Sequence, residues 1–276
     1  MRRRELILTN LVSRIFGAFA SYPFPKPIQK FINRSYVKIF DIDMSEFRSP
    51  DEYESLNQLF TRSLQHPRRV PSSKQKFISP VDGTITQVGK VYRGLALQIK
   101  GIDYSIQKLL GDKIDKTALG RLENGDYINF YLSPRDYHHY HMPYDAKIKR
   151  LFYFPGKLYP VNMQYLQSKL NLFVENERVV IECETENRKL FYIVLIGALN
   201  VGKMVVNFDS RIETNTIAGA NQSHIYQNLR IQKGEDLGYF KMGSTVVVIA
   251  ERGLLRPVIQ PFEKVKFGVV VAEVKI

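Results

Sequence analysis

Three of the five histidines in this 276-residue chain, His138, His139 and His141, follow a strand-like segment. Imidazole titrates near neutral pH, so such residues often serve as general acids and bases. Farther away, Asp82 lies at a turn leading into a strand, and Ser244 begins an apolar strand-like run. Asp82, His141 and Ser244 together supply the residue types of a nucleophile–base–carboxylate system. Aspartate and serine are also ordinary turn residues, so the sequence alone leaves their adjacency open.

Clustered histidines can also bind a metal. The only other histidines are His66 and His224, and the chain has neither a cysteine cluster nor the HExxH spacing of zinc enzymes. We therefore expect no metal and favour general acid–base chemistry. Structural packing of the histidine loop is the remaining alternative.

The composition indicates a globular protein with an anionic partner. The chain is 44% hydrophobic and has 40 Lys and Arg against 27 Asp and Glu, a formal charge of +13. Such an excess is typical of proteins that bind nucleic acid or an acidic membrane surface. The sequence has no run of 18 apolar residues, so it predicts no membrane-spanning helix. The single cysteine, Cys183, excludes an intrachain disulfide and is expected to be a buried thiol in a strand.

The amino-terminal region has the pattern of amphipathic helices. A first helix is predicted from apolar residues at helical spacing, and it ends before Pro23. Those residues are Leu8, Leu11, Val12, Ile15 and Phe19. A second helix is predicted from about Pro27, with an apolar side and a basic ridge. The apolar side comprises Ile28, Phe31, Ile32 and Ile39, and the ridge comprises Lys30, Arg34 and Lys38. Such helices either pack on the core or lie in a membrane interface with their basic side on anionic headgroups.

The remaining pattern predicts an α+β fold. A third helix is expected at Leu56–Phe60, an exposed linker at Arg68–Lys74, and a helical turn at Tyr104–Leu110. Segments rich in Val, Ile, Tyr and Phe predict strands. They are Thr84–Val91, Leu95–Lys100, Tyr127–Leu132, Arg178–Glu184, Leu190–Leu195, Lys203–Phe208 and Ser244–Ala250. We expect a helical membrane-associating region at 1–66 and a strand-rich, mostly antiparallel catalytic domain at 75–276.

Several short motifs occur in an order that is specific to one family. They are Val81-Asp82-Gly83, Lys100-Gly101 with Tyr104-Ser105, Tyr131–His138, His141-Met142-Pro143, Pro155-Gly156, Val161-Asn162, Asn176-Glu177-Arg178, Gly197-Ala198, Val201-Gly202 and Phe240–Thr245. In these residues the chain closely resembles the phosphatidylserine decarboxylases, the self-processing pyruvoyl enzymes of phospholipid synthesis. Met242 departs from the usual Leu-Gly-Ser-Thr processing motif of that family, but leucine and methionine are similar in volume and polarity.

The resemblance implies a proenzyme. Ser244 would attack the carbonyl of Gly243, with His141 as base and Asp82 orienting it. The chain would divide into a β chain, 1–243, and an α chain, 244–276, capped by a pyruvoyl group made from Ser244, the expected cofactor. That group would form a Schiff base with phosphatidylserine, and His138 would assist decarboxylation to phosphatidylethanolamine.

The resemblance also implies partners and a location. The partners are phosphatidylserine, an anionic membrane surface and the two cleaved chains as a heterodimer or higher oligomer. The expected location is peripheral, on the cytoplasmic face of a bacterial cell membrane, with an organellar inner membrane as the alternative. Met204 and Phe208 either line the lipid site or pack in the core. The rivals are a Ser–His–Asp hydrolase acting on lipid esters and a basic nucleic-acid-binding protein, of which we expect neither.

Overall fold

From residue 17 onward, the described part of the chain is first helical and then consists mainly of antiparallel strands. The computed structural model describes residues 17–99, 101–199, 203–212, 214–215, 220–241 and 244–275, with the backbone alone at residues 99, 163 and 244. Residues 17–21 are helical. The helices that follow are α1 (Lys26–Phe40), α2 (Leu56–Phe60), α3 (Ile106–Leu110), α4 (Lys116–Leu122), α5 (Met163–Ser168) and α6 (Leu172–Glu175), with a 3-10 turn at Pro50–Glu52.

The strands run from residue 76 to residue 274. They are β1 (Lys76–Ile78), β2 (Gly83–Lys90), β3 (Leu95–Ile99), β4 (Ile102–Ser105), β5 (Asp126–Leu132), β6 (His139–His141), β7 (Ala146–Phe154), β8 (Arg178–Glu184), β9 (Leu190–Gly197), β10 (Met204–Val206), β11 (Gln222–Ile231), β12 (Asp236–Phe240), β13 (Ser244–Ala250), β14 (Leu255–Pro257), β15 (Lys264–Val265) and β16 (Val270–Val274).

An eight-stranded antiparallel sheet in the order β11-β7-β8-β9-β13-β5-β2-β15 forms the centre of the fold. Successive side chains of a strand point to opposite faces. Accordingly, Val246 and Val248 of β13 belong to one buried cluster, and Val247 and Ile249 belong to another. The sheet is therefore covered on both faces, which explains why the β13 sequence is continuously apolar.

Smaller sheets lie beside the large one. One has the order β10-β12-β6, another has the order β1-β16-β14, and β3 pairs with β4. In the first, Tyr239 of β12 is opposite His139 of β6. Strand β12 thus brings the histidine segment alongside the chain that leads into β13.

Helix α1 packs through polar side chains. Gln29 donates to Asn33 at 2.7 Å, and Asn33 donates to the Pro50 and Tyr53 carbonyls at 2.9 Å each. These bonds satisfy the amide groups that burial removes from water. Three residues of the predicted apolar side face outward, since Ile28, Phe31 and Ile39 are 50%, 73% and 74% exposed. Core packing of these three side chains is thereby excluded. The fourth, Ile32, is half-buried and packs against the cluster that contains Tyr36 and Phe60.

The predicted elements agree with the fold in most central places. Helix α2 and strands β8 and β13 have the predicted bounds. The helical turn expected at Tyr104–Leu110 is wrong at its start, since Ser105 ends β4 and caps α3 by accepting from the Lys108 N–H. The predicted strand Lys203–Phe208 is shorter, as β10 covers Met204–Val206. Residues 1–16 of the first predicted helix lie outside the described residues.

Two further expectations are resolved by burial. Cys183 is fully buried in β8, as predicted, and burial raises the pKa of its thiol well above the usual value. The linker Arg68–Lys74 is exposed at Ser72–Lys74, but the Arg68 side chain is only 11% exposed because it is held in an ion-pair network. Among the described residues, no helix is both long and apolar enough to span a bilayer.

Candidate active site

The predicted nucleophile lies at the edge of the large sheet that is formed by the ends of its central strands. Ser244 begins β13 and is opposite Gly197, the last residue of β9, and Leu132, the last residue of β5. Gly83 begins β2 beside the same end of β5, and a Cβ on it would lie 2.5 Å from the Tyr131 carbonyl oxygen. Because neighbouring strands run antiparallel, the segments around Asp82 and Ser244 meet at this edge.

The histidine segment reaches this edge through β12. The Phe240 N–H donates to the His138 carbonyl at 3.0 Å, and β13 begins four residues after Phe240. Met242 and Gly243, and with them the bond of the predicted cleavage, lie outside the described residues. The structure therefore brings the histidine strand next to the chain that precedes Ser244.

His141 is held on three sides. Its Nδ1 lies 3.0 Å from the Gly234 carbonyl oxygen, and its ring stacks on Phe267 with centroids 3.6 Å apart. A carbonyl can only accept, so Nδ1 carries the proton and Nε2 accepts from the Tyr137 hydroxyl at 3.1 Å. Burial lowers the pKa of His141 to about 4, although Asp236 favours its charged form. At neutral pH the ring is therefore uncharged, with a lone pair on Nε2.

Asp82 binds Arg68 instead of His141. Its carboxylate oxygens accept from Arg68 at 2.5 and 3.0 Å, and Oδ1 also accepts from the Phe267 N–H at 2.7 Å. Among the described residues, no hydrogen bond joins Asp82 to His141. The two are connected through Phe267, whose backbone binds Asp82 and whose ring stacks on His141.

His138 is fully buried and lies against Phe60, with ring centroids 3.9 Å apart. Its Nδ1–H donates to the Asp136 carbonyl at 2.8 Å, a carbonyl that also accepts from the buried Arg62 at 3.1 Å. Burial and the charge of Arg62 lower the pKa of His138 to about 3. In the part of the chain that the structure describes, the buried Nε2 has no hydrogen-bond partner. The ring therefore presents an unused proton acceptor.

His139 has structural contacts instead. Its Nδ1 lies 2.7 Å from a carboxylate oxygen of Asp236, and its Nε2 lies 3.2 Å from the Thr61 carbonyl oxygen. Within the described ranges, no group of three or more histidine, cysteine, aspartate or glutamate side chains has metal-binding geometry.

The other two residues considered for a lipid site belong to the core. Met204 is 1% exposed, and Phe208 packs against the same cluster on one face of the sheet. A cavity of about 480 Å³ lies at the opposite edge of the sheet, between the end of β8 at Glu184 and the start of β7 at Ala146. It is therefore remote from Ser244.

Comparison with known proteins identifies the family. The sequence profile of the family described as phosphatidylserine decarboxylase matches residues 56–273. The chain belongs to the phosphatidylserine decarboxylase family.

Its similarity to named relatives extends over nearly their whole length. A phosphatidylserine decarboxylase proenzyme of Campylobacter jejuni is 47% identical, covering 95% of this chain and 97% of that protein. The proenzyme of a Helicobacter pylori strain is 45% identical, with 96% and 97% covered. That of an Anaeromyxobacter species is 35% identical, with 96% and 94% covered. Membership of this decarboxylase family is thus confirmed, and neither comparison supports the alternative of a hydrolase.

Three contacts around the histidines of this family member were not anticipated from the sequence. The sequence pattern places Arg68 in a linker and indicates no role for Tyr137 or Phe267. The sequence contains one signal, the four-residue spacing of Tyr137 and His141. A turn between two residues at this spacing can bring their side chains into contact. Arg68 lies 14 residues before Asp82, and Phe267 lies 185 residues after it, so no local pattern could reveal these contacts.

Proposed function

We propose that the chain cleaves itself between Gly243 and Ser244 and then decarboxylates phosphatidylserine to phosphatidylethanolamine. The supporting observation is the position of Ser244, the first residue of the central strand β13. The histidine segment lies beside the chain at this end of the strand. The register also brings the Asp82 turn to this edge, beside the end of β5.

In the first reaction, the Ser244 hydroxyl attacks the Gly243 carbonyl carbon and displaces the amide nitrogen, which leaves an ester. His141 Nε2 takes the hydroxyl proton and returns it to the departing nitrogen. A base then removes the Cα proton of residue 244, the Cβ–O bond of the ester breaks, and Gly243 leaves as a carboxylate. The proton passes to solvent, and residue 244 becomes dehydroalanine. Water then adds and ammonia leaves, which gives the pyruvoyl group.

The uncharged state of His141 suits this role. A base must hold a lone pair at the working pH, and a pKa of about 4 leaves Nε2 unprotonated near neutrality. Tyr137 currently donates to this lone pair, so its hydroxyl must turn away when the serine hydroxyl approaches. Asp82 would influence the base through Arg68 and Phe267, which bind its carboxylate.

The second reaction would use His138. When formed, the pyruvoyl ketone supplies an electron sink for the charge that decarboxylation leaves on the substrate carbon. His138 Nδ1 is committed to the Asp136 carbonyl, whereas the unpartnered Nε2 is free to accept a proton. We assign His138 to taking a proton from the substrate amine and returning one to the product carbon. Its buried surroundings keep it uncharged between turnovers.

The cleaved chains would remain associated through the sheets. The α chain would begin with β13, which lies between β9 and β5, and would include β16, which pairs with β1. Val246, Val247 and Val248 of β13 are buried, and this burial of apolar surface favours retention of the short chain. A heterodimer therefore needs no new contacts after cleavage.

The amino-terminal helix supports a peripheral membrane location. Ile28, Phe31 and Ile39 are exposed on α1, and Lys30 and Arg34 belong to the same helix. Both cations contact Asp51, at 3.7 and 2.5 Å, which leaves Lys26 and Lys38 as further basic residues of the helix. An apolar face bordered by cations fits the interface of an anionic bilayer. We propose that α1 lies on the cytoplasmic surface of the cell membrane.

The function is tested by incubating the purified protein with vesicles that contain phosphatidylserine and following release of carbon dioxide and formation of phosphatidylethanolamine. We expect both products in equal amounts, and sodium borohydride should abolish the activity by reducing the ketone. Hydrolysis of an acyl ester without decarboxylation would instead favour the hydrolase. Tighter binding to nucleic acid than to anionic vesicles would favour the nucleic-acid-binding alternative.

A further inference from the structure

Arg68 connects the helical amino-terminal part of the chain to the Asp82 turn. Its guanidinium donates to Glu46 at 2.8 and 2.9 Å and to Asp82 at 2.5 and 3.0 Å. The side chain is 11% exposed, as is that of Asp82. Burying an arginine is costly unless its donors are satisfied, and these paired carboxylates satisfy them in fork geometry.

We propose that Arg68 is a positioning residue for self-cleavage, holding the groups that aim His141 at Ser244. This inference rests on the proposed roles of His141 and Ser244. Arg68 reaches the imidazole by two routes, neither of which involves a direct contact with it.

One route passes through the carboxylate. Asp82 accepts from Arg68 and from the Phe267 N–H, and the Phe267 ring stacks on the His141 ring at 11° between planes. Displacement of Asp82 would therefore move the surface on which the imidazole lies. A shift of about 1 Å in a catalytic group can cost about a hundredfold in rate.

The other route passes through Tyr137. The Arg68 guanidinium carbon lies 5.6 Å from the centroid of the Tyr137 ring, within the range of a cation–π contact. The hydroxyl of the same tyrosine binds His141 Nε2. Arg68 thus contacts Asp82, which binds the backbone of Phe267 beneath the His141 ring, and Tyr137, whose hydroxyl binds the His141 lone pair.

The charge of Arg68 also matters for the protonation state of His141. The charged or titratable groups that face His141 are Asp236, His139, Asp82 and Tyr137. Both Asp82 and Asp236 favour the imidazolium, and Arg68 neutralises Asp82. Removal of the Arg68 charge leaves Asp82 unpaired, so it stabilises the imidazolium more strongly and the base is lost at a higher pH.

Glu46 holds the far side of the guanidinium. Hydrogen bonding by Arg68 lowers the pKa of Glu46 to about 2, and Lys266 binds the same carboxylate at 2.7 Å. Glu46→Gln removes a charge that orients Arg68 but leaves the Arg68–Asp82 pair intact. This variant tests the effect of the position of Arg68, because its charge is kept while one of the groups that orient it is weakened.

The experiment follows self-cleavage in precursor made by cell-free translation, stopped, and diluted into buffers from pH 5 to pH 8. We compare Arg68→Gln, Arg68→Lys and Glu46→Gln with Arg69→Gln, which changes the neighbouring exposed arginine. Wild type and Arg69→Gln should have the same rate and little pH dependence over this range. Arg68→Gln should be slowed about tenfold or more, with a further loss of rate at the acid end.

The remaining variants keep the test decisive if Arg68→Gln does not fold. Arg68→Lys should recover part of the rate and lose the acid sensitivity, because a point charge replaces the fork. Glu46→Gln should be slowed without added acid sensitivity. Decarboxylation per pyruvoyl group should be unchanged in all of them, since Arg68 does not contact His138 among the described residues.

The proposal would be overturned if Arg68→Gln cleaved at the wild-type rate with the wild-type pH profile. If Arg68→Gln does not fold, the same result in both Arg68→Lys and Glu46→Gln would overturn it. Failure of the wild type to cleave, or cleavage in Ser244→Ala, would instead overturn the proposed function on which it rests. Equal loss of decarboxylation per pyruvoyl group and of cleavage would also contradict a role confined to self-cleavage.

Discussion

The Tyr137 hydroxyl lies 3.1 Å from Nε2 of His141, the atom that must accept a proton if this histidine is the base of self-cleavage. Burial raises the pKa of Tyr137, so the phenol keeps its proton and acts as a donor. The Gly234 carbonyl holds the other ring nitrogen at 3.0 Å. In the described structure, Nε2 of His141 therefore accepts a hydrogen bond from Tyr137. For self-cleavage, this bond must be replaced by one from the Ser244 hydroxyl.

Tyr137→Phe tests this exchange. The variant keeps the ring against Arg68 and removes only the hydroxyl, so His141 loses an orienting donor and also a competitor for its lone pair. Because a net hydrogen bond is worth about 1 kcal/mol, we expect cleavage to continue within about tenfold of the wild-type rate. The rate is measured from the loss of the uncleaved chain with time. A block as complete as that of His141→Ala would place Tyr137 in the proton transfer itself.

The two histidines should separate the two reactions. His141→Ala should leave an uncleaved chain, because the proposed base of self-cleavage is removed. His138→Ala should cleave but lose about a hundredfold or more in kcat for decarboxylation, as general acid–base catalysis contributes this much. Gel analysis of cleavage and product formation per pyruvoyl group measure the two effects. If both variants fail at the same reaction, the division of roles is wrong.

The buried histidines should also make folding sensitive to acid. In an unfolded chain both titrate near 6.5, whereas in the fold the pKa of His138 is about 3 and that of His141 is about 4. The unfolded state therefore binds more protons below pH 6.5, and the stability is fully present above that pH and is lost as pH falls toward the folded values. Each histidine should lower the free energy of unfolding by about 2 kcal/mol between pH 7 and pH 5.

This pH effect is measured by urea unfolding of Ser244→Ala, which keeps one chain, with and without His138→Gln. The added substitution should reduce the loss between pH 7 and pH 5 by about 2 kcal/mol. An identical loss in both proteins would mean that His138 titrates normally in the fold.

The exposed face of α1 gives a prediction about membrane binding. Ile28→Ser, Phe31→Ser and Ile39→Ser combined should weaken binding to vesicles of anionic lipid by about tenfold or more, because they remove apolar surface that would enter the interface. Co-sedimentation with the vesicles measures this binding, and self-cleavage should continue. The matched control combines Ile225→Ser, Val258→Ser and Phe262→Ser, side chains that are 76%, 50% and 62% exposed on other parts of the chain. Equal binding by both triple variants would contradict the role of α1.

The central strands β5, β8, β9 and β13 could be predicted from their own sequences, whereas β7, between β11 and β8, is not predicted. β13 is a run of β-branched residues buried on both faces, and β8 and β9 have a similar character. Strand β11 could not be predicted, because it is the outermost strand of the sheet and many of its ten residues are polar. The side of α1 that faces the protein was also hidden, since buried Gln29 and Asn33 satisfy each other and the backbone rather than follow hydrophobic periodicity.

The roles of the candidate site residues stay a prediction, and the structure shows contacts among them that the sequence does not reveal. Asp82, His138, His141 and Ser244 could be singled out by type, and the strand register brings their segments together. The partner of Asp82 could not be foreseen, because Arg68 and Phe267 are brought to it by tertiary packing. A carboxylate can bind a histidine or an arginine equally well, and only the fold selects between them.

Intact-mass spectrometry of the purified protein, alongside Ser244→Ala, tests the central claim most directly. We expect the wild type to give two chains, residues 1–243 and residues 244–276, the shorter beginning with a pyruvoyl group and lacking a free amino terminus. Ser244→Ala should give one uncleaved chain. A single intact 276-residue chain in a wild-type preparation that decarboxylates phosphatidylserine, or a cleaved Ser244→Ala variant, would contradict the account.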